Sequence, residues 1–252
     1  MSSILGVPVD AAYHLVFGFT TLLTPVLGGA AAVAAIVLFT AAARLILMPL
    51  SLRGLRGQAT QARLAPQLQD LRKKYAKQPE RLQREMTALY KREGTSMFAG
   101  LTPLLLQWPL LSVMYLLFRS SKIGGKLNTL LTHDLFGVPL GSHWLAAAGP
   151  VSVHGLVFLG VFALLAGLCW LSVRLGRLMT AQSAGADAPG GALIRVLPYL
   201  TVVIAAFVPL AAGIYLLTST GWALAERSFF WRTGRISGAA PTPPKPAVPA
   251  RN

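Results

Sequence analysis

The stretch Gly28–Leu52, GGAAAVAAIVLFTAAARLILMPLSL, is an apolar run holding a single charge, Arg44. Roughly 20 predominantly apolar residues cross the hydrocarbon of a bilayer, so this run is long enough to span one. A cation near the centre of a span costs at least ~2.5–3.5 kcal/mol on insertion scales. At ~1.5 Å per helical residue, Arg44 lies about 13 Å inside its nearest basic flank, Arg53. Snorkelling recovers only part of that depth. The guanidinium therefore requires water, polar partners or an anionic guest inside the membrane.

Composition supports the same reading for the whole chain. Of 252 residues 54% are hydrophobic and 12% charged, with a mean hydropathy of +0.58. A soluble domain carries about twice that charged fraction. The net charge of +15 points to basic loops held against anionic headgroups or RNA. The lone cysteine, Cys169, excludes an internal disulfide and reads as a small buried hydrophobe.

Beyond the first run, apolar segments follow at Met97–Phe118, His154–Val173, Leu193–Val208 and Leu210–Phe230. The last two meet at Pro209 and form a tight pair; Pro198 predicts a kink or tilt in the fourth. Ahead of the first span, Leu15, Phe19, Leu22 and Leu23 repeat at helical spacing and predict an interfacial helix over Ala11–Leu23. Residues 1–27 contain no Lys or Arg, whereas Arg53–Arg92 contains eleven. Loops rich in Lys and Arg stay in the cytoplasm, so five spans put the N-terminus outside and the C-terminus inside.

The basic stretch, residues 53–95, reads as a cytoplasmic helical hairpin. Leu64, Leu68, Leu71 and Tyr75 form one apolar stripe, and Leu82, Met86 and Leu89 a second. Pro79 and Gly94 mark the limits of the second helix. Arg63, Arg72, Lys73, Lys74, Lys77, Arg81 and Arg84 clothe the hairpin and are its candidate contact residues. The extracytoplasmic loop, residues 119–153, has turn formers around Asp134–Pro139 that predict a small interfacial helix. The Pro-rich tail, residues 236–252, cannot pack and is expected to be disordered.

The only Asp or Glu in the apolar segments is Glu226, toward the cytoplasmic end of the fifth and too distant in sequence depth to clamp Arg44. Thr40 shares a helix face with Arg44, one turn away. Gln107 lies mid-way in the second span, and Tyr215, Thr218 and Ser219 lie in the fifth. Each alone fits an interhelical hydrogen bond; together with Arg44 they could line a polar groove. Pro49, Pro103 and Pro109 suggest kinked walls.

Enzyme chemistry finds no support. His133, His143 and His154 match no metal motif, and Gly124-Gly125-Lys126 lacks the flanking residues of a phosphate loop. No catalytic residue, metal or cofactor is assigned. The lack of intramembrane carboxylates weighs against a proton-coupled carrier; an assembly scaffold and a small-anion channel or carrier using Arg44 stay open.

Four motifs in order resemble the YidC/Oxa/Alb family of membrane protein insertases. They are Ala43-Arg44-Leu45-Ile46-Leu47-Met48-Pro49-Leu50, the hairpin's Leu64-Ala65-Pro66-Gln67-Leu68, Pro103-Leu104-Leu105-Leu106-Gln107-Trp108-Pro109, and Val208-Pro209-Leu210-Ala211-Ala212-Gly213-Ile214-Tyr215. The resemblance runs from about Gly28 to Arg232, within an expected core of residues 28–235. It implies an all-α integral membrane protein of the bacterial cell membrane, with a five-helix groove open to cytoplasm and lipid. It further implies that Arg44 attracts the polar outer segment of a guest and that Thr40 and Tyr215 contact it. Nascent membrane proteins are the implied partners, with the ribosome and the Sec translocon as further candidates, within the lipid bilayer and without sequence-specific nucleic acid. Leu216, Thr220 and Thr95-Ser96 depart from the family pattern and mark a divergent member.

Overall fold

The computed structural model describes residues 6–96, 102–144, 152–181 and 196–236, and these are overwhelmingly helical. The expected tail over 236–252 lies outside them apart from Ile236. Helix α1 runs Gly6–Leu27, longer at both ends than the expected Ala11–Leu23. Its buried stripe, Val9, Ala12, Tyr13, Val16 and Thr20, recurs every three or four residues and forms its packing face. Gly28, at φ 51°, makes the turn that sends the chain back along α1.

Helix α2, Ala31–Lys74, is 44 residues long. Its first turns bury Ala31, Ala32, Ala35, Ile36 and Thr40; small side chains there let α1 approach closely. Helix α2 runs unbroken from the first apolar segment through Arg53 into the basic stretch. Gly54 and Gly57 cost only ~1 kcal/mol each relative to Ala, too little to end a helix extended on both sides. Pro49 and Pro66 both lie inside it.

Helix α3, Pro79–Arg92, returns alongside the far half of α2. Leu64 and Tyr90 are buried there, and Arg63 donates to the Glu93 carboxylate at 2.5 Å. This defines the hairpin end of the molecule.

The opposite end is built from the segment after α4, Thr102–Arg119. Two short antiparallel ladders follow, β1 (Lys122–Ile123) with β2 (Lys126–Leu127), and β3 (Asp134–Leu135) with β4 (Val138–Pro139). The interfacial helix expected around Asp134–Pro139 is thus a β-hairpin. Phe136 and Gly137 have φ of 53° and 79°, and Asp134 Oδ2 accepts from the Gly137 amide at 2.8 Å, so the turn is fixed by its own side chain. Asn128 fastens this loop to α4 by donating to the Leu117 and Ser120 carbonyls.

Helix α5 spans Val153–Ala181. The fourth apolar segment begins outside the described residues; its described part is a 3-10 turn, Leu197–Tyr199, containing Pro198, and a short helix α6, Leu200–Phe207. Cys169 is buried on α5 and its thiol donates to the Pro198 carbonyl at 3.2 Å. Helix α7, Leu210–Arg232, starts against the loop. The Leu210 and Ala211 amides donate to the Ser142 and Leu140 carbonyls at 2.9 and 3.0 Å, which satisfies two of the unpaired donors at the helix start.

Leu45, Ile46, Leu164, Trp170, Val203 and Phe207 face outward. Gly6–Lys74 and Val153–Arg177 each hold a helical stretch long and apolar enough to cross a membrane. Outward apolar side chains in such number suit hydrocarbon and would aggregate in water. The chain is an all-α membrane protein.

Candidate functional site

Arg44 sits on α2 and is half-buried. Its guanidinium donates to the Ser219 hydroxyl on α7. Seven residues further along each helix, the Ser51 hydroxyl donates to Glu226 Oε2 at 2.8 Å. Both pairs are offset by 175 residues, so α2 and α7 rise together as parallel neighbours. Seven residues is two helical turns at the shallow crossing angle of supercoiled helices, which keeps both rungs on one seam. The same offset sets Thr40 opposite Tyr215, and both are fully buried. A further turn pair beyond Ser51, Gln58 accepts from Arg227 at 2.8 Å.

The seam carries polar side chains at each of these steps. The buried Tyr215 hydroxyl and Glu226 Oε1 have no protein hydrogen-bond partner. A buried polar atom left so costs ~1–3 kcal/mol, and two on one seam single it out from the rest of the interior.

Of the residues expected to line a groove, Arg44, Ser219, Tyr215 and Thr40 come together. The Thr40 hydroxyl, however, is engaged by its own helix, donating to the Ile36 carbonyl at 2.7 Å. Thr218 does likewise to the Ile214 carbonyl at 2.9 Å. Gln107 belongs to α4, but its side chain lies outside the described residues. Ser51, Gln58, Glu226 and Arg227 are additional members. The spacing Arg44, Ser51, Gln58 on one helix and Ser219, Glu226 on the other is a seven-residue pattern present in the sequence that could have found them.

The hairpin cations divide in two. Arg63 is half-buried and paired with Glu93, joining α2 to the end of α3. Arg72, Lys73, Lys74, Lys77, Arg81 and Arg84 are exposed. Arg84 approaches Glu80 at 3.9 Å in full solvent contact, Arg81 donates to Gln78, and Lys74 lies over the Tyr75 ring. Surface contacts of this kind hold the side chains weakly and leave them available to an anionic surface.

A family model described as 60Kd inner membrane protein matches residues 23–236. The membrane protein insertase YidC of Clostridium tetani is 38% identical over 101 residues, which cover 40% of this chain and 46% of that protein. That of Clostridium perfringens is 37% identical over 122 residues, covering 47% and 51%. That of Chlorobium phaeovibrioides is 34% identical over 134 residues, covering 49% and 23%. The matches span about half or less of these relatives' length.

Proposed function

The chain belongs to the 60Kd inner membrane protein family, and from that premise we propose that it is a membrane protein insertase and chaperone. It helps nascent membrane proteins enter and fold in the bilayer of a bacterial cell membrane. The observation that carries this reading is the polar α2–α7 seam, in which the Arg44 cation meets the Ser219 hydroxyl beside the buried Tyr215.

In this reading residues 28–235 form the insertase core, with five spans around a hydrophilic groove. Residues 1–27 lie on the extracytoplasmic side, 53–95 form the cytoplasmic hairpin, 119–153 close the outside, and 236–252 are a disordered cytoplasmic tail. The N-terminus is outside and the C-terminus inside. Arg44, Thr40, Gln107, Tyr215, Thr218 and Ser219 line the groove, and the exposed hairpin cations receive the incoming chain. The ribosome and the Sec translocon are further partners.

The mechanism is one of partition, with no bond broken and no nucleotide hydrolysed. A hydrophilic segment entering the bilayer faces a desolvation barrier. Arg44 lowers it for acidic segments, because a charge in a weakly screened site attracts its opposite strongly. The apolar helix that follows leaves sideways into lipid, and removal of ~20 apolar residues from water supplies the driving force. Purified protein in proteoliposomes, offered a single-spanning guest with a short acidic outer tail, tests the reading. Insertion by the wild type and its loss in Arg44→Ala support it. Equal insertion by both, or none without the Sec translocon, replaces it with an assembly scaffold.

A further inference from the structure

Glu226 has no part in the mechanism above, yet its placement is specific. It is 7% exposed and lies on the face of α7 that meets α2. One carboxylate oxygen takes the Ser51 hydroxyl; the other is buried with no protein partner. The neighbouring cation Arg227 turns instead to Gln58. No ion pair to Glu226 occurs among the described residues. A buried carboxylate is tolerated when a cation or several donors answer it, and here one hydroxyl does so directly.

From this juxtaposition of Arg44 and Glu226, two helical turns apart on one seam, we infer that Glu226 is a cation-recognition site for a basic residue of the guest chain. This rests on the insertase reading and names the guest class it favours: a segment carrying an acid followed hairpin-ward by a base. The two rungs are about 10 Å apart along the helices. A helical guest aligned with the seam meets both rungs when its Lys or Arg follows its Asp or Glu by seven residues. An extended guest does so at a spacing of about three. Ser51, which holds the other oxygen, is only partly buried, so a guest cation approaches the carboxylate from that side in this proposal. Such a seam accommodates a polar pair that neither lipid nor a single arginine would accept, and reads its order as well as its content.

The test uses the full chain in phosphatidylcholine vesicles and a guest with one Asp in its outer end. The position three, seven or eleven residues later is occupied by Lys or by Gln, and insertion is read as the protease-protected fraction. In the wild type the Lys guest outpaces its Gln counterpart several-fold at position seven or three and falls to parity at eleven. Glu226→Gln, which keeps an acceptor for Ser51, brings that ratio to one. Glu226→Lys inverts the preference in favour of Glu at the same position. A wild-type ratio that ignores position overturns the inference, and this arm needs no variant to fold. So does a ratio unchanged in Glu226→Gln, or one that follows added phosphatidylethanolamine, whose ammonium would then be the cation. If these fail while Arg44→Ala still abolishes insertion of the Gln guests, the insertase reading stands without the cation site. If Arg44→Ala inserts the Gln guests as well as the wild type, both fall.

Discussion

Arg44 and Arg63 stand on the same helix, nineteen residues apart, and are answered by different chemistry. Arg63 donates to the Glu93 carboxylate in a half-buried pair that ties the two arms of the hairpin. Arg44 donates to the hydroxyl of Ser219, while the carboxylate on its seam stands two turns away and takes its hydrogen bond from Ser51. A carboxylate partner within contact distance neutralises a cation and spends it on structure. A hydroxyl answers a donor without itself bringing a countercharge, and in the insertase reading it is this difference that lets the cation act on a guest.

The sharpest way to break this contrast is to remove each arginine in turn. Arg44→Ala is expected to reduce insertion of an acidic-tailed guest by at least tenfold in proteoliposomes, while the protein still accumulates in the membrane. Arg44→Lys should keep much of that activity, since charge counts for more here than the planar fork. Next in size, Arg63→Ala should loosen the hairpin, costing about 1–2 kcal/mol for a half-buried charged hydrogen bond. Hydrogen exchange over residues 79–92 should speed up in Arg63→Ala and stay unchanged in Arg44→Ala. The same exchange pattern in both variants would erase the distinction between the two arginines.

Smaller again, Tyr215→Phe removes a buried hydroxyl that has no protein hydrogen-bond partner. Relief of an unsatisfied group is worth ~1 kcal/mol, so resistance to unfolding in mixed detergent micelles should rise by about that amount. A fall in stability would mean that the hydroxyl is bonded in the membrane. Smallest of all, Arg84→Gln breaks a pair exposed on both sides and should leave thermal stability within a degree or two. Its effect should instead be a weaker, salt-sensitive attachment to anionic vesicles, measured by flotation.

The sequence made much of this legible, for physical reasons that can be named. A charge inside an apolar run is costly wherever the run ends up, so Arg44 was conspicuous before any neighbour was known. Thr40 followed because helical periodicity fixes which residues share a face. What periodicity does not carry is the register between two helices distant in the chain. That is why the sequence does not single out Ser51 and Gln58, and why it sets Glu226 too far toward the cytoplasmic end to meet Arg44. Only the constant offset between α2 and α7 shows that it sits on the same seam as the arginine. The loop misread has a different origin: Phe136 at positive φ is a conformation that bulky residues seldom adopt, so composition favoured a helix where a tight β-turn forms.

Because α2 has no break between Ala31 and Lys74, it is a single rod about 66 Å long. The arginine stands a third of the way down it, and the cationic fingers occupy the far tip. Whatever docks on those fingers therefore has a lever about 45 Å long acting on the guanidinium. Two prolines, Pro49 and Pro66, lie along that reach as its points of bending. The tip and the guanidinium are thus joined by helix alone, with no loop between them.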